Sequence, residues 1–222
     1  EPIDDIRATN PATNEPLMDA LVAQMLAVKF DLKAFTKTLL LSQTYQLSSV
    51  ANDGNIEDTQ HFSHAHPKAM PAEVLLDALC QVTGVAEKFN GWPKGYRSIQ
   101  VWDNRMPSYF FRIFGRPVRA SVCECERSNE PSITQALHLL NSPEINEKIN
   151  HKRGTARRLA QSNLSHDEVL DEIYLLTLSR LPTPEERTVL HNAFTTNGAD
   201  RRAAVEDIFW SVLNTKEFLF IQ

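Results

Sequence analysis

The chain has 222 residues, of which 42% are hydrophobic and 23% charged; this excludes a disordered tail and leaves material for a real core. Its 23 basic residues face 28 acidic ones, a formal charge of −5, which speaks against a nucleic-acid surface. No apolar run reaches the roughly 18 residues that a membrane helix needs, and 3 cysteines are too few for a disulfide scaffold.

The opening Glu1-Pro2-Ile3-Asp4-Asp5 has neither the basic n-region nor the apolar h-region of a signal peptide, and no initiator Met, so the chain reads as cut from a longer protein. Residues 1–16 read as a leader laid on the surface. Asn14 is a helix N-cap with Pro16 in the first turn, and Leu17, Leu21, Val22, Met25 and Val28 then recur at helical spacing. Asp31 caps a second helix that carries Leu32, Phe35, Leu39 and Leu40 on one face. Few residues separate the two, so an antiparallel hairpin is the economical arrangement.

Loop chemistry follows over 48–66, with Ser48-Ser49, Asn52-Asp53-Gly54-Asn55 and then His61, His64 and His66. Pro71 opens a patterned helix through Val74, Leu75, Ala78, Leu79, Val82 and Val85. Residues 90–127 form an irregular, aromatic-rich insert with one short helix predicted at 107–114. Short strands near Ser98–Val101 and Val118–Cys123 are expected at most as a two-strand element. A long loop inside a compact domain is more often functional than a helix is. The remainder reads as helical. Pro131 starts a helix through Leu140, and Ser142-Pro143 starts another with Pro at N1. Ser165 to Glu168 and Thr183 to Glu186 are capping boxes, Asp200 is an N-cap, and Asn214 with Glu217 is read as a last capping pair. The whole is expected to be all-α, a single helical domain over 1–222 with about seven to ten helices.

The stretch Cys123-Glu124-Cys125-Glu126-Arg127-Ser128-Asn129-Glu130 gathers two thiols, three carboxylates and a guanidinium. In extended backbone Cys123 and Cys125 share a face and qualify as soft-metal ligands. Zinc requires about four ligands from two clusters, and His61, His64 and His66 are the only histidine-rich partners. The simpler reading makes both cysteines small buried hydrophobes, with Arg127 organising the acidic segment at the start of the next helix. A disulfide from Cys80 to one of them is a further alternative. Glu73 and Asp77, four apart on one helix, are acid/base candidates, but a solvated helix face would place them the same way. Tyr109, Phe110, Phe111 and Phe114 read as a ligand groove or, more simply, as core. No haem-attachment, phosphate-loop, dinucleotide, nucleophile-elbow or zincin motif is present, so no cofactor is expected within this chain.

The chain resembles a known family through Thr9-Asn10-Pro11, Ser42-Gln43-Thr44-Tyr45-Gln46, Pro71-Ala72-Glu73-Val74-Leu75, Phe114-Gly115-Arg116-Pro117 and Cys123-Glu124-Cys125-Glu126-Arg127. Gln135-Ala136-Leu137-His138-Leu139-Leu140-Asn141, Ser179-Arg180-Leu181-Pro182-Thr183 and Leu213-Asn214-Thr215-Lys216-Glu217-Phe218 continue the likeness in order. The family is the C-terminal domain of large planctomycete-type proteins, domain of unknown function family 1553. The resemblance implies an exported or periplasmic protein with haem c in a cytochrome-like domain elsewhere in the polypeptide, and it assigns no catalytic residues. Two functional readings follow. One is an uncharacterised helical module that serves as scaffold or docking domain for other domains of the same polypeptide, with polysaccharide or another exported protein as outside partner. The other is a hydrolase-type or polysaccharide-degradation accessory domain with its site in the 97–138 region, drawn from Arg97, Asp103, Arg119, Glu124, Glu126, Arg127, Gln135 and His138. Convergence of these side chains in a deep pocket favours the enzyme; mutual ion pairs favour the module.

Overall fold

The computed structural model describes residues 8–58, 61–103, 106–118, 132–196 and 200–221. The chain divides into two compact units, one built up to Pro67 and the other from Lys68 to Ile221.

The first unit holds two helices. Asn14 accepts from Leu17 N at 3.0 Å and opens α1, Glu15–Ala27. Asp31 Oδ1 accepts from Lys33 N and Ala34 N, both at 3.0 Å, and opens α2, Leu32–Leu40. Lys29 and Phe30 turn the chain between them in left-handed backbone, at φ 52° and 61°, a region that non-glycine residues enter only at a cost. Gln24 Nε2 donates to Thr38 Oγ1 across the pair at 3.5 Å. Neither helix buries a side chain; Leu17 is 54% exposed and Leu32 69%. The following loop is tied by side-chain turns. The Asp58 carboxylate accepts from His61 N (2.7 Å) and Ser63 N (2.9 Å), and Ala65 N donates to Ser48 O (3.0 Å).

The second unit is a helical body of nine helices among the described residues: α3 (Ala72–Thr83), α4 (Tyr109–Ile113), α5 (Ile133–Asn141), α6 (Pro143–Ile149), α7 (Thr155–Ala160), α8 (His166–Leu178), α9 (Pro184–Thr196), α10 (Arg201–Leu213) and α11 (Lys216–Leu219). Helix α10 is central, against α6, α7, α8, α9 and α11. Its Val205, Ile208, Phe209 and Val212 are buried, the i, i+3, i+4, i+7 stripe that the sequence shows. Ser165 and Glu168 form the reciprocal box before α8. Thr183 and Glu186 do the same for α9, with Thr183 N donating to Glu186 Oε2 at 2.8 Å, and Asp200 caps α10.

One arginine locks the C-terminal elements together. Arg180 donates Nε and Nη2 to the two carboxylate oxygens of Glu217 at 2.6 and 2.7 Å. It gives Nη1 and Nη2 to Glu186 at 2.8 and 2.7 Å. Two bidentate forks from one guanidinium are the strongest ion-pair geometry available to it, and the group also lies 5.2 Å over the Tyr174 ring.

The fold is all-α, with eleven α-helices among the described residues and one two-stranded antiparallel ribbon. Three local expectations change. The ribbon pairs β1 (Lys68–Ala69) with β2 (Phe220–Ile221), an element the sequence did not suggest, and of the strand expected over Val118–Cys123 residues 119–123 lie outside the described residues. Residues Ser98–Gln100 form a 3₁₀ turn, because the Asp77 carboxylate accepts from Ser98 N (2.6 Å) and Ile99 N (3.3 Å) and coils the backbone around itself. Thr215, not Asn214, caps α11, since Glu217 is drawn to Arg180. Helix α5 starts from Ser132 as N-cap. No helix among the described residues is long and apolar enough to cross a membrane.

Within 90–127, the described part is a packed aromatic layer. Phe110, Phe111 and Phe114 are buried; Phe110 stacks on Phe114 at 4.3 Å and Phe89 on Phe111 at 6.1 Å. These rings are core, and only Tyr109 of the four is exposed. Arg116 lies 4.4 Å over the Phe111 ring, with Nε 3.3 Å from Glu73 Oε1 and Nη2 donating to Val101 O. Glu73 and Asp77 are thereby structural: one holds Arg116, and the other holds the 3₁₀ turn and Arg97.

Candidate functional site

The groups that gather around a cavity come from the end of α3, the loop after it, and the α5–α6 corner. Helix α3 stops at Gly84, φ 69°, where Val85 N returns to Cys80 O at 3.1 Å. A Cβ at Gly84 would meet Thr155 Oγ1 at 2.9 Å, so both the backbone and the close approach require glycine there. The chain then presents Glu87 beside the last turn of α3, where Cys80 stands as a free thiol. Cys123 and Cys125, the partners considered for a disulfide with Cys80, lie outside the described residues. Ser142 and Pro143 open α6. Its buried face carries Ile145, Lys148 and Ile149, at i, i+3 and i+4.

The Lys148 side chain is only 7% exposed. Its Nζ forms an ion pair with Glu87 Oε2 at 2.8 Å and donates to Val85 O at 3.5 Å and to Cys80 Sγ at 3.7 Å. Glu144, one turn back on α6, stands close enough to Glu87 for the two carboxyls to act on each other. His138, from the last turn of α5, brings Nε2 to 4.0 Å from Glu144 Oε2, with its side chain 8% exposed. That nitrogen is buried without a hydrogen-bond partner. The imidazole is wedged among Tyr109, Phe110 and Phe114, ring centres 5.5 to 6.0 Å away.

Burial and charge pull these groups apart in pKa. Burial alone would raise Glu87, but hydrogen bonds from Lys148 and Lys88 N outweigh it and hold the carboxyl below its ordinary value. Burial raises Glu144, and the charge of Glu87 raises it further against the pull of Lys148. Burial would lower Lys148, yet Glu87, Cys80 and Glu144 together raise it. Burial lowers His138 and raises Cys80. The resulting set is an ammonium–carboxylate pair, a second carboxyl whose pKa burial raises, and an imidazole whose pKa burial lowers. Perturbed groups of this kind in a cleft mark a candidate site. A cavity of about 370 Å³ opens here, with Glu87, Glu144, Asp103, Lys88, Phe89 and Trp92 among its lining.

Of the residues expected from sequence, His138 and Asp103 belong to this neighbourhood. Arg97 pairs with Asp77 at 3.3 Å and is largely exposed. Gln135 closes the capping box of α5 and donates Nε2 to Ile113 O at 3.0 Å. Arg119, Cys123, Glu124, Cys125, Glu126 and Arg127 lie outside the described residues. His64 and His66 have ring centres 4.5 Å apart in the first unit, and His61 is exposed. Among the described residues no three His, Cys, Asp or Glu side chains are grouped to hold a metal ion. Sequence reasoning missed Glu87, Glu144 and Lys148, and named Cys80 only as a disulfide candidate. The signal for Lys148 is a lysine at a core position, between Ile145 and Ile149 on one stripe.

No curated protein and no solved structure matches the chain. The family model described as Protein of unknown function (DUF1553), PSD1, matches residues 1–194. With most of its length matched, the chain belongs to that family.

Proposed function

We propose that this chain is a helical docking module of a larger exported bacterial polypeptide, and that it holds other domains of that polypeptide, cytochrome-like ones included, in place. The observation that supports this is the α1–α2 pair, which exposes an apolar surface and buries none of its side chains. Contiguous apolar surface of that kind marks interaction sites. An open, shallow patch runs along α2, lined by Leu32, Leu40 and Leu41 together with Asp31, Lys33 and Lys37. A partner that suits it offers an apolar helix face edged with carboxylates. Hydrogen exchange on the parent polypeptide and on this chain alone tests the reading. Amides of α1 and α2 should be protected in the parent and exchange faster in a Leu32→Glu/Leu40→Glu parent. Equal, fast exchange in all three would overturn it.

The alternative, a hydrolase-type domain with its site over 97–138, has less support. Arg97 and Gln135 are engaged in local structure.

A further inference from the structure

We propose that His64 and His66 form a binding site for a divalent late transition-metal ion, with water completing its coordination shell. The two residues stand at i and i+2 in the loop that ends the first unit, and their ring centres are 4.5 Å apart. His64 Nδ1 and His66 Nε2 are both buried, and neither has a hydrogen-bond partner among the described residues. A buried nitrogen is rarely left so without a bound water or ion to account for it. One such atom would call for a water. Two, on adjacent imidazoles, match a pair of metal ligands, because neutral imidazole is the ligand that Ni²⁺, Cu²⁺ and Zn²⁺ share.

The ring separation fits one shared ion. An imidazole nitrogen stands about 1.1 Å from its ring centre, and a metal bonds about 2.0 Å beyond it. Two rings that bind one ion at a right angle therefore have centres about 4.4 Å apart, and the right angle belongs to the tetragonal sites of Ni²⁺ and Cu²⁺. The backbone that carries the pair is already held. Ala65 N, between the two histidines, donates to Ser48 O at 3.0 Å, and the Asp58 carboxylate ties the turn before them through His61 N and Ser63 N. Binding then has little loop ordering to offset. Coordination through the two buried atoms fixes the tautomers, with the proton of His64 on Nε2 and that of His66 on Nδ1. The pair His166 and His191 differs on both counts: its ring centres are 6.2 Å apart, and His191 Nε2 is bonded to Asp167 Oδ1 at 2.9 Å.

The test is titration of the full chain, first stripped with EDTA, with nickel chloride, followed by calorimetry and by amide NMR. Saturable binding with a Kd of about 100 μM or tighter is expected, and it should shift or broaden the amide signals of residues 61–67. His64→Ala and His66→Ala should each weaken it about tenfold or more, through loss of one of two ligands. His64→Gln and His66→Gln, which keep a polar side chain in the loop, are the second variants should the alanine forms fail to fold. His166→Ala/His191→Ala should leave both readouts unchanged. Absence of saturation, binding indifferent to substitution of both His64 and His66, or amide changes confined to other parts of the chain would overturn the proposal.

Discussion

Lys148 and Glu144 sit four residues apart on α6 yet face opposite electrostatic problems. Lys148 is buried with its charge, and Glu87 satisfies it at 2.8 Å. Removing one partner of such a pair strands the other. Lys148→Met should therefore lower stability by about 3 kcal/mol, and Lys148→Met/Glu87→Gln should recover part of that in urea denaturation, because the stranded carboxylate is gone. Glu144 behaves oppositely. Its folded pKa is raised, so the folded protein holds that proton more firmly than the unfolded chain does. The resulting stability is complete below the ordinary carboxyl range and is lost as pH rises through the folded value. Glu144→Gln keeps a donor towards Glu87 and removes the disfavoured charge. It should gain about 0.5 kcal/mol at neutral pH, a figure discounted for partial solvent screening, and nothing near pH 4. Denaturation midpoints at the two pH values check the sign. These roles were hidden in the sequence because Glu87, Glu144 and Lys148 carry no motif; only the α3 turn at Gly84 and the Ser142-Pro143 corner bring them together. His138 was legible as a candidate residue, but its partner was not.

At the scale of elements, the clamp around Arg180 joins α8, α9 and α11. Glu186 is held down at about 2 by the Arg180 fork, against burial that would raise it. Its contribution is present above the ordinary carboxyl value and is lost as pH falls from there toward 2. Glu186→Gln should cost about 1 kcal/mol at pH 7, after allowance for a side chain that is one-third exposed. The gap between the variant and the original protein should close by pH 2 in a urea series. An organising arginine was expected from the sequence at Arg127, which lies outside the described residues; Arg180 has the chemistry that expectation sought. The caps at Asn14, Asp31, Ser165, Thr183 and Asp200 were legible, because each needs only a short polar side chain a few residues before an apolar stripe. The Ser98–Gln100 turn was not, since its cause is Asp77, 21 residues away, and local pattern reasoning cannot reach that far. The same limit explains Asn214: the pairing of Glu217 with Arg180 spans 37 residues.

At the scale of the whole molecule, the two units differ in kind. The second unit has a buried core around α10, whereas the two helices of the first bury nothing. Leu32→Glu/Leu40→Glu should therefore leave the denaturation midpoint unchanged to within about 0.5 kcal/mol, even though the same change is predicted to weaken docking in the parent. Phe110→Ala, at 1% exposure, should cost about 3–5 kcal/mol. The all-α class was legible from periodicity, but the helical spacing of Leu17, Leu21, Val22, Met25 and Val28 left open what the stripe of α1 faces. Periodicity says that a face is apolar and does not say what covers it.

The β1–β2 ribbon carries a mechanical consequence. It pairs Lys68 with Ile221 and Ala69 with Phe220, so the entry and exit of the second unit leave side by side at one end of an antiparallel pair. A tension applied between these two positions loads the ribbon as a zipper, one residue pair at a time, and not in shear across all its bonds at once. The Met70 N to Leu219 O bond at 3.2 Å takes the strain next, before any helix is pulled from the core. Such a tension therefore meets the ribbon before it meets the buried core around α10.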